Sequence, residues 1–204
     1  MNIVGFTRMP LNDWDGMVTA TVYVAGCDFR CPDCPTPELV PHDCEYEPVP
    51  ENEVLRHMTE HAGFLDGIVI HGGEPLVQSD LEGFLSRVRS TGAKTNLVTN
   101  GTQPTRLEAL VERRLVDFVT LKLRGPLSHR SYEKCAGLPR RQAWVVARDV
   151  HLSVALLLER RVDHEFRLRV HPALHSESDL AALTRQLGGS SRLVLYEVPP
   201  RRSA

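Results

Sequence analysis

Residues 18–34, VTATVYVAGCDFRCPDC, pass directly from a short β-branched run into three closely spaced cysteines. The run over residues 18–25 is apolar and rich in β-branched residues, which predicts a strand. Cys27, Cys31 and Cys34 follow it with the spacing Cys-x3-Cys-x2-Cys. Three thiolates can hold three irons of a 4Fe–4S cube and leave the fourth iron without a protein ligand. The sequence therefore predicts a metal-binding loop at the carboxyl end of a strand.

The chain beyond this loop alternates short apolar runs with helical patterns. Capping boxes at residues 79–82 and 105–108 each predict the start of a helix. Strands that alternate with helices are typical of a parallel sheet. Besides the two helices that begin at the capping boxes, we predict strands over residues 18–25, 67–71, 94–98, 117–123, 165–171 and 192–197, and helices over residues 51–62, 151–160 and 177–187.

The number of strand–helix units indicates the architecture. Right-handed crossovers place every strand-to-helix loop at the same end of the sheet. Eight units close a full barrel, and this chain supplies six. We therefore expect an α/β fold, an open partial (β/α)6 barrel, in a single domain over residues 1–204. Residues 1–17 are expected to form an N-terminal extension, and residues 27–50 the cluster-binding loop.

The composition is that of an ordinary soluble protein, with 42% hydrophobic and 25% charged residues and a formal net charge of −2. This balance predicts no attraction to nucleic acid. No apolar run approaches the ~20 residues that cross a bilayer, and the N-terminus shows no secretion signal. The five cysteines are odd in number and clustered, which favours a metal site in a reducing compartment over a disulfide framework. We expect a cytoplasmic protein that does not bind membranes.

A second motif, Gly72-Gly73-Glu74-Pro75, follows the second predicted strand. The two glycines allow the backbone to approach a ligand closely. Glu74 adds a carboxylate, which suits an ammonium group. Such a tetrapeptide by itself is more often a plain turn. Its position one unit after the cysteines places both motifs at the end of the sheet where α/β barrels carry their active sites.

The alternative for the cysteines is a structural zinc site. Zinc requires four ligands, usually supplied as two pairs. His42 or Cys44 could provide the fourth ligand. The x3 and x2 spacing of the three cysteines is unusual for paired zinc ligands, which favours the iron–sulfur interpretation.

Taken together, the motifs resemble the radical S-adenosylmethionine (SAM) superfamily. Within it the chain is similar to the activating proteins of anaerobic ribonucleotide reductase and of related glycyl radical enzymes. The cysteine motif is the most specific part of the likeness. The matching stretches span nearly the whole chain and lie at residues 25–34, 37–40, 71–75, 99–101, 125–127 and 165–167.

This resemblance implies a 4Fe–4S cluster and SAM as cofactors. The open iron would bind the amino and carboxylate groups of SAM, and an electron from a flavodoxin or ferredoxin would cleave the carbon–sulfur bond. The resulting 5′-deoxyadenosyl radical would abstract hydrogen from the target. By the same likeness, Gly73 and Glu74 would hold the methionyl amino group, and Gly72, Thr99, Asn100 and Arg167 would lie at the SAM site.

The chain departs from the pattern of these activases at three positions. Asp33 stands before the third cysteine, where the superfamily usually has an aromatic residue. Val98 and Lys122 stand where activases often carry aspartates that help to hold a cation beside the SAM carboxylate. Our hypothesis is that the Lys122 ammonium replaces this cation; the alternative is that Lys122 points to solvent.

Polar residues alternate along the strand predicted over residues 165–171. For Arg167 a role at the SAM site and a plain strand position are equally supported. For Arg169 and His171 the period-two pattern favours side chains that face solvent or pack against helices.

The length of the chain bears on the radical acceptor. A short open barrel leaves its mouth free for a loop of another protein, which favours a glycyl radical enzyme, above all anaerobic ribonucleotide reductase. Two alternatives remain: a radical SAM enzyme with a small-molecule substrate, such as a 7-carboxy-7-deazaguanine synthase, and a non-enzymatic metal-binding module.

Overall fold

The computed structural model describes residues 1–10, 13–159, 162–189 and 192–197. Seven strands form one sheet in chain order, and the last six of them are parallel. The strands are β1 (Ile3–Thr7), β2 (Thr19–Val24), β3 (Gly67–Gly72), β4 (Lys94–Thr99), β5 (Phe118–Leu123), β6 (Asp163–Val170) and β7 (Leu193–Glu197). The helices are α1 (Glu51–Glu60), α2 (Leu81–Ser90), α3 (Pro104–Glu112), α4 (His129–Cys135), α5 (Arg140–Glu159) and α6 (Glu177–Gln186).

The sheet is not closed, because β1 and β7 form its two edges. The strand–helix alternation from β2 to β7 confirms the predicted open partial barrel. All six positions of β2 pair in parallel with β3 without a shift in register. Parallel strands in one sheet have their carboxyl ends on the same side of the barrel, so the loops after β2, β3, β4 and β5 meet at that end.

The two faces of the sheet differ in chemistry. One face packs against the helices, where Ile68, Ile70 and Leu121 join α2 residues such as Phe84 in one apolar core. The other face lines the interior of the barrel and carries buried polar side chains, among them Thr21, Asn96, Thr120 and Glu165. The inward positions are therefore available for binding and catalytic groups, whereas the outward positions hold the domain together.

The elements of the fold differ from the sequence prediction at β1, α4 and α5. Residues 3–7, placed in the N-terminal extension, form β1 and pair antiparallel with β2. Helix α4 was not predicted. Helix α5 begins at Arg140, 11 residues before the predicted start at residue 151. The buried side of the first half of α5 includes the small residues Ala143 and Ala147, so the hydrophobic periodicity that predicts a helix is weak there. Residue 160, the predicted end of α5, lies outside the described residues.

The two predicted capping boxes do not form. Helix α2 has Asp80 as its N-cap, without a side-chain capping bond. Helix α3 starts at Pro104, two residues before the start that the capping box predicted, because proline is pre-organised for the first helical position. A capping box does occur at α6, between Ser176 and Asp179. In the described part of the chain, no helix combines the length and the apolar character needed to cross a membrane.

Candidate functional site

A pocket lies at the carboxyl ends of β2, β3, β4 and β5. Its walls include nine of the ten residues that the sequence singled out. Arg167 is the exception and lines a separate cavity together with Trp14 and Glu165. The nine are Cys27, Cys31, Cys34, Gly72, Gly73, Glu74, Thr99, Asn100 and Lys122.

The three pocket cysteines are not joined in disulfide bonds, and each is partly buried. Burial raises the pKa of Cys27 to about 12 and also raises the pKa of Cys31. Binding to iron must therefore displace the thiol protons. A cube gives each thiolate an iron of its own, so three separate cysteines around one pocket suit it.

The zinc alternative requires a fourth ligand beside the three cysteines. Among the residues that the structure describes, no group of three His, Cys, Asp or Glu side chains could hold a single metal ion. The ring of His42 packs over Gly26. Neither His42 nor Cys44 lines the pocket.

The start of the cysteine loop is held by backbone contacts that require glycine. Gly26 and Cys27 donate to the carbonyls of residues 39 and 40 over 2.8 and 3.0 Å. Glu74 N donates to Gly26 O over 2.8 Å, which ties the second motif to the first. A Cβ on Gly73 would lie well inside 3.0 Å of the Gly26 carbonyl oxygen, a separation that real side chains essentially never show. The glycine at residue 73 thus permits the two loops to touch.

The middle of the loop rests on α4 and the turn that follows it. Arg30 N donates to Ala136 O over 2.8 Å. Gly137 has φ +64°, and a Cβ there would overlap the Arg30 carbonyl. Phe29 is buried with its ring edge-on to Tyr132, 6.1 Å between centroids. The helix that the sequence did not predict therefore supports the cysteine loop.

Glu74 is the most buried charged group of the pocket, with 1% of its surface exposed. One carboxylate oxygen, Oε1, accepts from Leu76 N (3.0 Å) and Thr99 Oγ1 (2.5 Å), and Oε2 accepts from Asn100 N (2.7 Å). Burial, together with the nearby Asp28 carboxylate, raises the pKa of Glu74 to about 7. A carboxylate has about four acceptor positions, so Oε2 keeps one for a further donor.

The Asn100 side chain joins two loops. Its Nδ2 donates to Asp28 Oδ1 over 2.7 Å, and Thr102 Oγ1 donates to Asp28 Oδ2 over 2.5 Å. The Asn100 Oδ1 in turn accepts from Thr102 N over 3.0 Å. These contacts use the amide to fix the loop after β4 against the cysteine loop.

Lys122 lies in the pocket wall, and its Nζ is 2.7 Å from His71 Nε2. The side chain thus points into the barrel and not to solvent. Burial and, after it, the cations Arg124 and Arg167 lower the pKa of Lys122 to about 7. Lys122 is also the register partner of Arg167 on β6. Arg167 forms an ion pair with Glu165 inside the barrel.

Two arginines beside the cysteine loop were missed or misplaced by the sequence reasoning. Arg124 is a half-buried wall residue that donates a hydrogen bond to the Cys31 sulfur and lies over the Phe29 ring. Arg169 was expected to face solvent or helices, and this was wrong, because it pairs with Asp33 over 2.9 Å. Two departures from the activase pattern could have indicated these contacts. Asp33 is an unexpected carboxylate that pairs with Arg169, and Lys122 is an unexpected cation close to Arg124.

The sequence and the fold have recognisable relatives. A family model described as a 4Fe–4S single cluster domain matches residues 14–140. A protein of Methanocaldococcus jannaschii, provisionally named a glycyl-radical enzyme activating enzyme, is 22% identical over 98% of this chain and 80% of its own length.

Three solved structures show the same fold. TYW1 with a bound lysine–pyruvate adduct aligns with a TM-score of 0.65 and 13% identity, over 93% of this chain and 68% of TYW1. Streptococcus suis SuiB bound to its precursor peptide SuiA aligns with a TM-score of 0.61 and 18% identity, over 87% of this chain and 38% of SuiB. A structure of SuiB bound to SAM is also similar to this chain. Escherichia coli QueE aligns with a TM-score of 0.52 and 14% identity, over 95% of this chain and 92% of QueE. These findings confirm the resemblance to the radical SAM superfamily, and the chain belongs to the family of 4Fe–4S single cluster domains.

Proposed function

We propose that this chain is a radical SAM activase that generates a glycyl radical on a partner enzyme, for which anaerobic ribonucleotide reductase is the first candidate. The observation that carries the proposal is the shared pocket, which is lined by the three cysteines of the motif and by the Gly-Gly-Glu motif. The relative from M. jannaschii supports the activase class. A flavodoxin or ferredoxin is the expected electron donor, and a cysteine cluster without disulfide bonds suits the reducing cytoplasm.

The residues present fit the two cofactors. Cys27, Cys31 and Cys34 would hold the cluster, which when bound supplies the electron for reductive cleavage of SAM to methionine and a 5′-deoxyadenosyl radical. The remaining acceptor position of Glu74 Oε2 suits the methionyl ammonium. Thr99 and Asn100 act on the same group indirectly, because they donate to the Glu74 carboxylate and fix its orientation.

Lys122 suits the SAM carboxylate. It lines the same pocket as Glu74, so the amine of one bound ligand would meet the Glu74 carboxylate while its carboxylate meets the Lys122 ammonium. Unit charges ~4 Å apart attract by about 4 kcal/mol at an effective dielectric of 20, before desolvation. Lys122→Ala should weaken SAM binding to the reconstituted protein, whereas Lys122→Asp should recover it only with added sodium or potassium. Unchanged affinity in Lys122→Ala would end this assignment.

The reaction with a protein acceptor can be tested directly. The reconstituted chain is incubated anaerobically with the candidate reductase, SAM and a reductant, and the glycyl radical is read out by electron paramagnetic resonance (EPR). We expect a protein-based radical on the reductase, with 5′-deoxyadenosine formed as the deoxyadenosyl radical takes hydrogen from glycine. The Cys31→Ala variant should give neither. SAM cleavage without a radical on any glycyl radical partner would contradict the activase assignment.

A small-molecule substrate is the second candidate. The solved structures with this fold hold different ligands, a lysine–pyruvate adduct in TYW1 and a precursor peptide in SuiB, so the fold by itself does not select a protein substrate. A 7-carboxy-7-deazaguanine synthase-like activity would give substrate-dependent 5′-deoxyadenosine with a pterin-type substrate and no reductase present. That result would favour this candidate over the activase.

A further inference from the structure

Both aspartates of the cysteine loop are anchored, and they are anchored on different sides of the barrel. Asp28, after the first cysteine, accepts from Asn100 and Thr102 in the loop after β4. Asp33, before the third cysteine, accepts from Arg169 on β6. The loop that leaves β2 therefore extends over the pocket to the far side of the sheet, since β6 is separated from β2 by three strands.

The contact between Asp33 and Arg169 is a nearly buried ion pair. Asp33 Oδ2 accepts from Arg169 Nε over 3.0 Å and from Nη2 over 2.9 Å. The two side chains are 13% and 11% exposed. Charge-assisted hydrogen bonds of this kind are short and directional. Removal of one partner from a buried pair leaves an uncompensated charge and is strongly destabilising.

Each cysteine of the motif has an anchor close to it in the chain. Cys27 is held through its own N–H, which donates to Val40 O over 3.0 Å. The segment before Cys31 is held by the bond from Arg30 N to Ala136 O. At the Cys34 end, the side chain of residue 33 supplies the long-range anchor, across 136 residues of sequence.

We propose that the Asp33–Arg169 ion pair positions Cys34 as the third iron ligand, by fixing the end of the cysteine loop to β6. Arg169 is a positioning residue in this scheme, because it acts on the cluster through Asp33. Its second effect is electrostatic, since it neutralises a carboxylate that stands next to a cluster thiolate. The inference rests on the cluster that the family carries and does not depend on the radical acceptor.

The test uses three variants: Arg169→Gln, Asp33→Asn and the double variant that carries both substitutions. Each is compared with a control variant, Glu53→Gln. The control breaks the Arg8–Glu53 ion pair, which has a similar 3.1 Å separation but is exposed on α1. After anaerobic reconstitution, iron and sulfide per chain, the rate of cluster loss to a chelator, and the EPR spectrum of the reduced cluster are measured. None of these readouts requires SAM cleavage or a partner, so failure of the proposed function would leave them intact.

We expect each single variant to lose its cluster at least about tenfold faster than the control and to show a changed EPR spectrum. The double variant should lose it no faster than the worse single variant, because both substitutions break one contact. Arg169→Lys keeps the charge and should restore part of the spectrum. The proposal is overturned if Arg169→Gln behaves like Glu53→Gln, or if the effects of the two single variants add.

Trypsin sensitivity of the cluster-free protein provides a second measurement. The bond after Arg30 lies inside the cysteine loop, and Arg30 is exposed. Loss of the anchor should increase cleavage there while the circular dichroism of the domain stays unchanged. If Arg169→Gln fails to fold, Asp33→Asn and Arg169→Lys are tested in its place, by the rate of cluster loss and by trypsin cleavage after Arg30. Unchanged cleavage in both variants would refute the proposal.

Discussion

The clearest energetic prediction concerns Glu74, whose carboxylate is buried before any ligand arrives. The substitution Glu74→Gln replaces it with a neutral group of nearly the same shape. The amide oxygen can still accept hydrogen bonds, but the ionisation is removed. The effect of that ionisation on the unfolding free energy then becomes visible as a difference between the two proteins at each pH.

The magnitude follows from the pKa of Glu74, which burial raises from its ordinary value of 4.5 to about 7 in the folded chain. A group of this kind stabilises the fold below its unfolded pKa, and this contribution is lost as the pH rises through the folded pKa. Each unit of difference between the two pKa values corresponds to about 1.4 kcal/mol. Between pH 5 and pH 7 the wild-type protein should lose about 2 kcal/mol that Glu74→Gln retains.

The assay is urea unfolding of the cluster-free protein in reducing buffer, followed by circular dichroism at pH 5, 6 and 7. The free energy of unfolding of the wild-type protein minus that of Glu74→Gln should fall steadily across this range. Glu60→Gln, on the exposed surface of α1, should show no such trend. A difference that changes by less than about 0.5 kcal/mol, or that rises with pH, would refute the reasoning.

Three further predictions concern the cysteine loop. Gly137→Ala should lower the unfolding free energy by about 1–3 kcal/mol more than Gly92→Ala in urea denaturation; both glycines have positive φ, but only at Gly137 would the new Cβ meet the backbone. Cys31→Ala should abolish cluster binding on reconstitution, whereas Cys44→Ala should retain iron and sulfide, and the reverse order would contradict the site. Arg124→Gln should lower the midpoint potential of the cluster by on the order of 100 mV in a redox titration, because an adjacent cation favours the reduced state; an unchanged or higher potential would disprove that role.

The sequence reveals those parts of the molecule that have a local pattern. The strand after which Cys27 appears is visible in its β-branched residues, and the Gly-Gly-Glu turn is visible in its spacing from the next strand. Because parallel strands bring their carboxyl ends together, these two observations are enough to place Cys27 and Glu74 in one pocket.

Contacts between distant residues carry no such local signal. Alternation along β6 shows that Arg169 lies on one face, but a polar residue on an inner face reads the same as one that faces water. Its pairing with Asp33 depends on how the cysteine loop crosses the pocket, which no local pattern encodes. Helix α4 escaped prediction because only Tyr132 and Cys135 of its seven residues are buried.

The polar lining of the barrel has a consequence for how such a domain can change over evolutionary time. Residues such as Asn96 and Thr120 contribute little apolar burial, whereas the stabilising hydrophobic layer lies outside the sheet among residues such as Ile70 and Phe84. Selection for a folded chain and selection for a particular chemistry therefore act on separate sets of positions. An inward lysine in place of an inward acid, as at residue 122, can thus arise and be tested for usefulness while the architecture survives.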